Sequence, residues 1–229
     1  MKHSSNKASE LEPISLEQEL VCGAKSLSLE LSEGQIAQIT EYVRLLHKWG
    51  AVYNLTAIKS SKDMLVQHVM DCLSIISPMS QRMKSGLSVL DVGSGAGLPA
   101  VMIAIVCPEH KVTALDAVAK KVAFVKQASL QLNLQNLSAK HGRVEREGGH
   151  EYDLIVSRAF ASLKDFVTES TGALADNGVW MAMKGKLPVE EMAQLPAGIF
   201  VFDVTHLNVP GMSSERCLVW MNQANREAQ

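Results

Sequence analysis

Aromatic side chains are scarce in this 229-residue chain: Phe, Trp and Tyr make up only 5% of it. So thin a supply argues against a broad platform on which successive bases of a single strand would stack. An excess of one charge is missing too. Lys and Arg number 22 and Asp and Glu 24, for a formal charge of −2, and no part of the chain is strongly basic. A protein that grips long nucleic acid by neutralising phosphates is normally basic. Balance therefore disfavours a long groove and leaves room for a local patch on a compact target. The four cysteines, Cys22, Cys72, Cys107 and Cys217, contain no Cys-x-x-Cys pair. That usage fits a reducing compartment and makes neither a zinc framework nor a disulfide scaffold. No stretch approaches the roughly 18 apolar residues of a membrane span. The opening MKHSSNKASELEP has no apolar leader core either. A cytoplasmic protein without a membrane partner is expected.

What is present suits one full-sized domain with a smaller accessory segment, since 47% of the residues are hydrophobic and 20% charged. Residues 1–80 read as a helical N-terminal cap, with 1–13 frayed, and 81–229 as the main domain. A helix is predicted over Leu16–Ser26. Ser32-Glu33-Gly34-Gln35 is a capping box that opens a second helix, with Ile36, Ile39, Val43 and Leu46 on its apolar face and Gly50 closing it. Ser60-x-x-Asp63 opens a third, burying Leu65, Val69, Cys72 and Ile76 and stopping at Pro78. Beyond it, strands are predicted at 88–91, 111–115, 137–140, 153–157, 178–183, 199–206 and 216–221. Helices alternate with them near 98–106, 118–132, 162–174 and 188–194, with Pro99 in the first turn of its helix. This alternation predicts an α/β, Rossmann-like, seven-stranded and mostly parallel sheet, closed by an antiparallel last strand. Ligands of such sheets bind at the carboxyl ends of the strands.

One of those ends is the most informative part of the chain. The strand in SVLDVGSGAGLPAV, Ser88–Val101, delivers Asp91 into a turn containing Gly93, Gly95 and Gly97. The next strand ends in Asp116, 19 residues past Gly97. In dinucleotide-binding units an acid at about that distance takes the ribose hydroxyls. Here, however, the glycines run G-x-G-x-G rather than G-x-G-x-x-G, and Asp91 stands just upstream of them. A carboxylate there repels a pyrophosphate and suits a ligand bearing an ammonium and a sulfonium. S-adenosylmethionine is such a ligand, which makes a methyltransferase the working reading. A glycine turn kept only for tight strand–helix packing is the plainer alternative.

The other strand ends carry further candidates. His141-Gly142-Arg143-Val144-Glu145 suits the surroundings of an adenine ring, and equally an ordinary solvated loop. Ser157-Arg158-Ala159-Phe160-Ala161 falls where a methyl group would meet its acceptor. It lacks the Asn/Asp-Pro-Pro-aromatic run of exocyclic-amine methylation, and no nucleophilic cysteine lies near it for pyrimidine-carbon methylation. An acceptor needing orientation rather than a base fits instead, and guanine N7, whose lone pair lies in the ring plane, is one. Arg158 is otherwise a structural ion-pair partner. Asn54, Thr56, His68 and Asp71 form a polar cluster in the N-terminal segment. His68 and Asp71, three apart, share a helix face and can hydrogen-bond. No third ligand accompanies them, so no metal is expected. Lys184 and Arg216, at the edges of late strands, are candidates for RNA phosphate or simple surface residues.

Taken together, HKWGAVYNLTAI at 47–58, His68-x-x-Asp71, DVGSGAGLP at 91–99, Arg143-Val144-Glu145, SRAFASL at 157–163, Lys184-Gly185 and Glu215-Arg216-x-Leu218-Val219 resemble one family. It is the glucose-inhibited division protein B family of small-subunit ribosomal RNA methyltransferases G, matched over roughly residues 30–221. The resemblance implies methyl transfer from S-adenosylmethionine to N7 of one guanine in 16S rRNA near the decoding centre. It implies 16S rRNA or the small ribosomal subunit as partner. Gly93, Leu98, Val144, Glu145 and Arg158 match cofactor-binding positions of that family, which moves Arg158 towards the cofactor edge. Asp91 and the Gly93–Gly97 backbone are then expected at the methionine end, Asp116 at the ribose, and Val144 with Glu145 at the adenine. Arg158, Asn54 and Lys184 are the catalytic candidates, and Asn54, His68, Lys184 and Arg216 the RNA contacts. Ala100 replaces a glycine usual in the family, and Cys72 a serine. A monomer is expected. The rival readings are a small-molecule methyltransferase and a non-catalytic cofactor-binding module on the same fold.

Overall fold

A computed structural model describes residues 15–149, 151–158 and 160–224. The predicted frayed lead-in, 1–13, and Ala159 lie outside them. Two helices open the described chain, α1 (Leu16–Ser26) and α2 (Glu33–Tyr53). Each begins with a reciprocal capping box, Ser15 with Gln18 and Ser32 with Gln35. Gly50 does not close α2. The helix runs one turn further and ends on Asn54, in the left-handed region at φ 52° and ψ 47°, a conformation asparagine tolerates. The Gly50 carbonyl accepts the N–H groups of both Asn54 and Leu55.

The third predicted helix is several pieces. α3 (Ser61–Met64) widens into a π-helical stretch, Leu65–Met70, which leads into α4 (Asp71–Leu73). After a break at Ser74 and Ile75 the chain restarts as α5 (Ile76–Arg82). Pro78 therefore lies in the first turn of α5, where a missing N–H forfeits no helical bond, and so does not stop the helix. Leu65, Val69, Cys72 and Ile76 are all buried, as their spacing predicted.

β1 (Ser88–Val92), β2 (Lys111–Asp116), β3 (Leu137–His141), β4 (Tyr152–Ser157), β5 (Leu174–Lys184), β6 (Ile199–Leu207) and β7 (Arg216–Gln223) form one sheet in the order β3-β2-β1-β4-β5-β7-β6. β1 to β5 pair in parallel, and β7 is inserted antiparallel between β5 and β6. The predicted architecture is the observed one. α6 (Ala100–Val106), α7 (Ala119–Gln131), α8 (Leu163–Ser170) and α9 (Val189–Met192) connect the strands. Pro99 immediately precedes α6 rather than lying within it. α8 stops four residues short of its expected end. The hydroxyls of Ser170 and Thr171 turn back onto the carbonyls of Phe166 and Val167, which leads into a 3-10 turn, and β5 starts early at Leu174.

The N-terminal helices pack directly on the sheet domain. Ile39, Tyr42, Val43 and Leu46 of α2 share one apolar cluster with Val101 of α6, Val125 of α7 and Val89 of β1. Gln35 and Gln38 of α2 donate to the carbonyls of Ile105 and Leu132, at 3.0 and 2.8 Å. Leu90 and Val92 face a second cluster with Leu163 and Phe166. The strand order reverses between β1 and β4, so the glycine turn after β1 stands at the topological switch point where such sheets bind ligands.

Candidate active site

β1 is buried on both faces, and Asp91, one residue before its end, is completely buried. Its Oδ2 accepts the Ala100 N–H at 3.0 Å, while Oδ1 is buried without a partner. Burial raises its pKa to about 7, against the opposing pull of the Ala100 amide and Arg158. Gly93, Gly95 and Gly97 have φ of +69°, +60° and +88°. A Cβ at Gly97 would fall 2.8 Å from Val101 and 3.1 Å from Val125, so that glycine lets α6 and α7 close on the turn. At Gly93 a Cβ would meet no atom within 4 Å; the strand end opens there onto free space. Leu98 is itself buried in the core, so only its backbone is left to face a ligand.

Asp116 ends β2 beside this turn. Its Oδ2 accepts the Gly95 N–H at 2.9 Å and its Oδ1 the Val118 N–H at 2.8 Å. The carboxylate thus shapes the glycine turn as well as facing the adjoining cavity. That cavity, of about 150 Å3, brings together Gly93, Asp116, buried Val144 and Glu145. Phe160, named in the sequence only within the Ser157–Ala161 run, and Glu169, which went unnoticed, also line it. Phe160 packs on Phe166 with ring centroids 5.4 Å apart.

Arg158 belongs to a neighbouring pocket of about 370 Å3, lined with it by His68, Asp71, Lys184 and Arg216. Asp71 is 4% exposed and lies between the two arginines, with Oδ1 3.1 Å from Arg216 Nε and Oδ2 3.6 Å from Arg158 Nη1. Burial nonetheless outweighs both guanidiniums and raises its pKa. His68 and Asp71 meet through Arg158 rather than through a bond to each other. Arg158 Nη1 is 3.5 Å from His68 Nδ1, and Thr56 Oγ1 is 2.7 Å from the imidazole Nε2. The π-helical stretch sets this arrangement, because its wider turn alters the spacing expected of an α-helix. Burial, with Arg158 beside it, lowers the His68 pKa to about 4, so the ring is neutral. Burial pushes the Cys72 thiol far upward, removing it as a nucleophile at neutral pH.

Lys184 Nζ donates to Glu191 Oε2 at 2.8 Å, and the same oxygen accepts the Leu163 N–H at the start of α8. Lys184 and Arg216 therefore have structural partners and still line the pocket. Asn54 stands apart from it, in a separate cavity with Thr56. Tyr42 went unnoticed in the sequence. Wholly buried, it donates its hydroxyl to the Ala96 carbonyl inside the glycine turn at 2.8 Å. A contact 54 residues away in sequence leaves no local pattern to read.

One cluster of metal-ligating residue types forms elsewhere among the described residues, Cys107, Glu109 and His110. His110 Nδ1 already accepts the Leu87 N–H, which leaves the neutral ring protonated at Nε2, a donor rather than a ligand.

The unpaired buried carboxylate oxygen and the open glycine turn fit the ammonium and sulfonium of S-adenosylmethionine. Strand order, turn and paired acids define a class I S-adenosylmethionine-dependent methyltransferase. Solved structures share the fold. A SAM-dependent methyltransferase from Aquifex aeolicus superposes at TM-score 0.53 with 19% identity, over 69% of this chain and 92% of its own. TrmN from Thermus thermophilus does so at 0.54 with 17% identity, over 67% of this chain and 49% of its own.

Residues 35–219 match the profile of the rRNA small subunit methyltransferase G family, GidB, and the chain belongs to that family. The ribosomal RNA small subunit methyltransferase G of Polaromonas sp. strain JS666 is 52% identical over 210 residues, covering 90% of this chain and 92% of that protein. Its counterpart in Methylibium petroleiphilum is 48% identical over 209 residues, covering 91% and 95%. Among the described residues no helix is long and apolar enough to cross a membrane.

Proposed function

We propose that the protein, a cytoplasmic monomer, methylates N7 of one guanine of 16S rRNA near the decoding centre. The observation carrying this reading is the composition of the Arg158 pocket. It presents three cations, a neutral imidazole and one carboxylate already engaged by two arginines, and it offers no free base. An acceptor that must lose a proton before attack is poorly served there, whereas guanine N7 attacks with an in-plane lone pair. The N7–carbon bond forms as the sulfur–carbon bond breaks, and no proton leaves.

Bound S-adenosylmethionine supplies the electrophilic methyl group. Asp91 and the Gly93–Gly97 backbone hold its methionine end, Asp116 its ribose, and Val144 with Glu145 its adenine. Arg158, oriented by Asp71, closes the cofactor site on the acceptor side. Lys184 and Arg216 donate to guanine O6 or adjoining phosphate, while His68 and Asn54 contact the RNA from the N-terminal helices. Alignment of the two reacting atoms supplies most of the rate.

The test is incubation of the protein with labelled S-adenosylmethionine and small subunits from a strain lacking this modification, followed by N7-specific chain cleavage. A single cleavage near the decoding centre is expected. Intact cofactor binding without incorporation would move the function to a small-molecule acceptor or to a non-catalytic role.

A further inference from the structure

A cavity of about 440 Å3 adjoins the Arg158 pocket, and of its lining residues only Asn54 enters the methyl-transfer scheme, as an RNA contact. Thr56 is the shared wall: it lines this cavity, and its hydroxyl bonds to His68, which lines the other. Ile58 and buried Met64 supply apolar surface, Asn54 supplies an amide, and Lys59 stands exposed at the rim, while the Thr56 hydroxyl is engaged by His68 and the Ile58 N–H. Among the described residues Lys59 has no carboxylate partner within ion-pair distance.

Gly50 is the second, independent observation. It lies inside α2, where glycine costs about 1 kcal/mol relative to alanine. Its backbone is not left-handed, and a Cβ would meet only Thr56 Cγ2, at 3.4 Å, an ordinary contact. Neither conformation nor close packing demands glycine at this position. A larger side chain there would project into the cavity, so the glycine keeps it open.

We propose that this cavity receives the base of the nucleotide next to the target guanine, with a phosphate of the RNA against Lys59. The proposal rests on the rRNA reading above. A guanine placed in the Arg158 pocket has to leave its stack, and its chain neighbour loses a stacking partner with it. A largely apolar cavity one wall away, with the Asn54 amide for a base edge and Lys59 for a phosphate, offsets that loss.

Steady-state methylation of small-subunit RNA by Gly50→Ala and Gly50→Leu tests this. KM for RNA should rise with side-chain size, by about ten-fold or more for leucine, while the affinity for S-adenosylmethionine stays unchanged. RNA made abasic at the nucleotide on one side of the guanine should impair the parent protein similarly and leave Gly50→Leu no worse. A leucine variant with the parent KM, or equal sensitivity of both proteins to the abasic sites, would overturn the proposal. Should leucine disturb folding, Lys59→Ala gives the same KM readout, and an unchanged KM there overturns it as well. Failure of the parent protein to methylate any rRNA would instead defeat the underlying reading, and this inference with it.

Discussion

Replacing Asp91 with asparagine should alter cofactor affinity and stability differently, and pH separates the two effects. The carboxylate is fully buried, with Oδ2 on the Ala100 N–H and Oδ1 unpartnered, and burial lifts its pKa from 3.8 to about 7. Between those values the folded chain keeps a proton that the unfolded chain has released. The stability this contributes is full below pH 4 and is lost as pH rises through 7, an effect of at most about 4 kcal/mol. In Asp91→Asn that slope disappears. Cofactor binding runs the other way, since an ammonium prefers the ionised carboxylate. Affinity of the parent protein should rise about four-fold from pH 6 to pH 8, because the carboxylate ionises about ten-fold more fully while the ligand's own α-amino group, with a pKa of roughly 7.7–8.0, begins to lose its proton. The variant should bind with no such rise, and about 10- to 150-fold more weakly at pH 8, the worth of one charge-assisted hydrogen bond of roughly 1.5–3 kcal/mol. Titration calorimetry with S-adenosylmethionine at pH 6, 7 and 8, paired with urea unfolding of the ligand-free proteins, measures both. A variant that keeps full affinity at pH 8, or the parent's pH dependence of binding, would show that the ammonium lies elsewhere.

Asp116→Ala should weaken cofactor binding at least about ten-fold while the chain stays folded, because two backbone N–H bonds, to Gly95 and Val118, are lost along with the ribose contact. Calorimetry and thermal melting check it, and unchanged affinity would remove the ribose assignment. Gly97→Ala forces a Cβ to 2.8 Å from Val101 at φ +88° and should cost about 3 kcal/mol, a fall of about 10 °C in melting temperature. Tyr42→Phe keeps the ring packed near Phe124 and deletes only the bond to Ala96, so cofactor affinity should fall several-fold with melting lowered by about 1 kcal/mol or a few degrees. Asp71→Asn leaves Arg158 and Arg216 without their shared counter-charge. Both side chains are 26% exposed, so about 2 kcal/mol is expected rather than the roughly 3–5 of a fully buried pair, together with a raised KM for RNA in turnover assays.

The fold was legible because its signals are local. Alternating strands, the glycine turn after β1 and the Ser32–Gln35 capping box are local patterns, and each formed where expected; the Ser15–Gln18 box is equally local and went unread. The errors fell where tertiary contacts overrode a local rule. Gly50 marked a helix end only as a residue type, while the real stop is the left-handed Asn54. Pro78 read as a terminator because a break four residues earlier has no signature of its own. Within the site, Gly93, Asp116, Val144 and Glu145 line one cavity because strand ends converge in any such sheet, while Arg158, read at the cofactor edge, lies in the neighbouring pocket. That pocket was legible only as a set of names. Asp71 meets Arg216 across 145 residues and Arg158 meets His68 across 90, and no spacing rule reaches that far.

Those long-range bonds also tie the N-terminal helices to the pocket of the sheet domain. Asp71 ties them to β7 and to the end of β4, His68 and Thr56 extend the same chain of contacts, and Tyr42 reaches the glycine turn from below. A sheet domain without them would keep Asp91, Asp116 and the Lys184–Glu191 pair, yet Arg158 and Arg216 would face each other without the Asp71 carboxylate. The near-neutral overall charge is compatible with this arrangement: three cations, two of them sharing one buried acid, gather in a single pocket while the chain as a whole stays balanced.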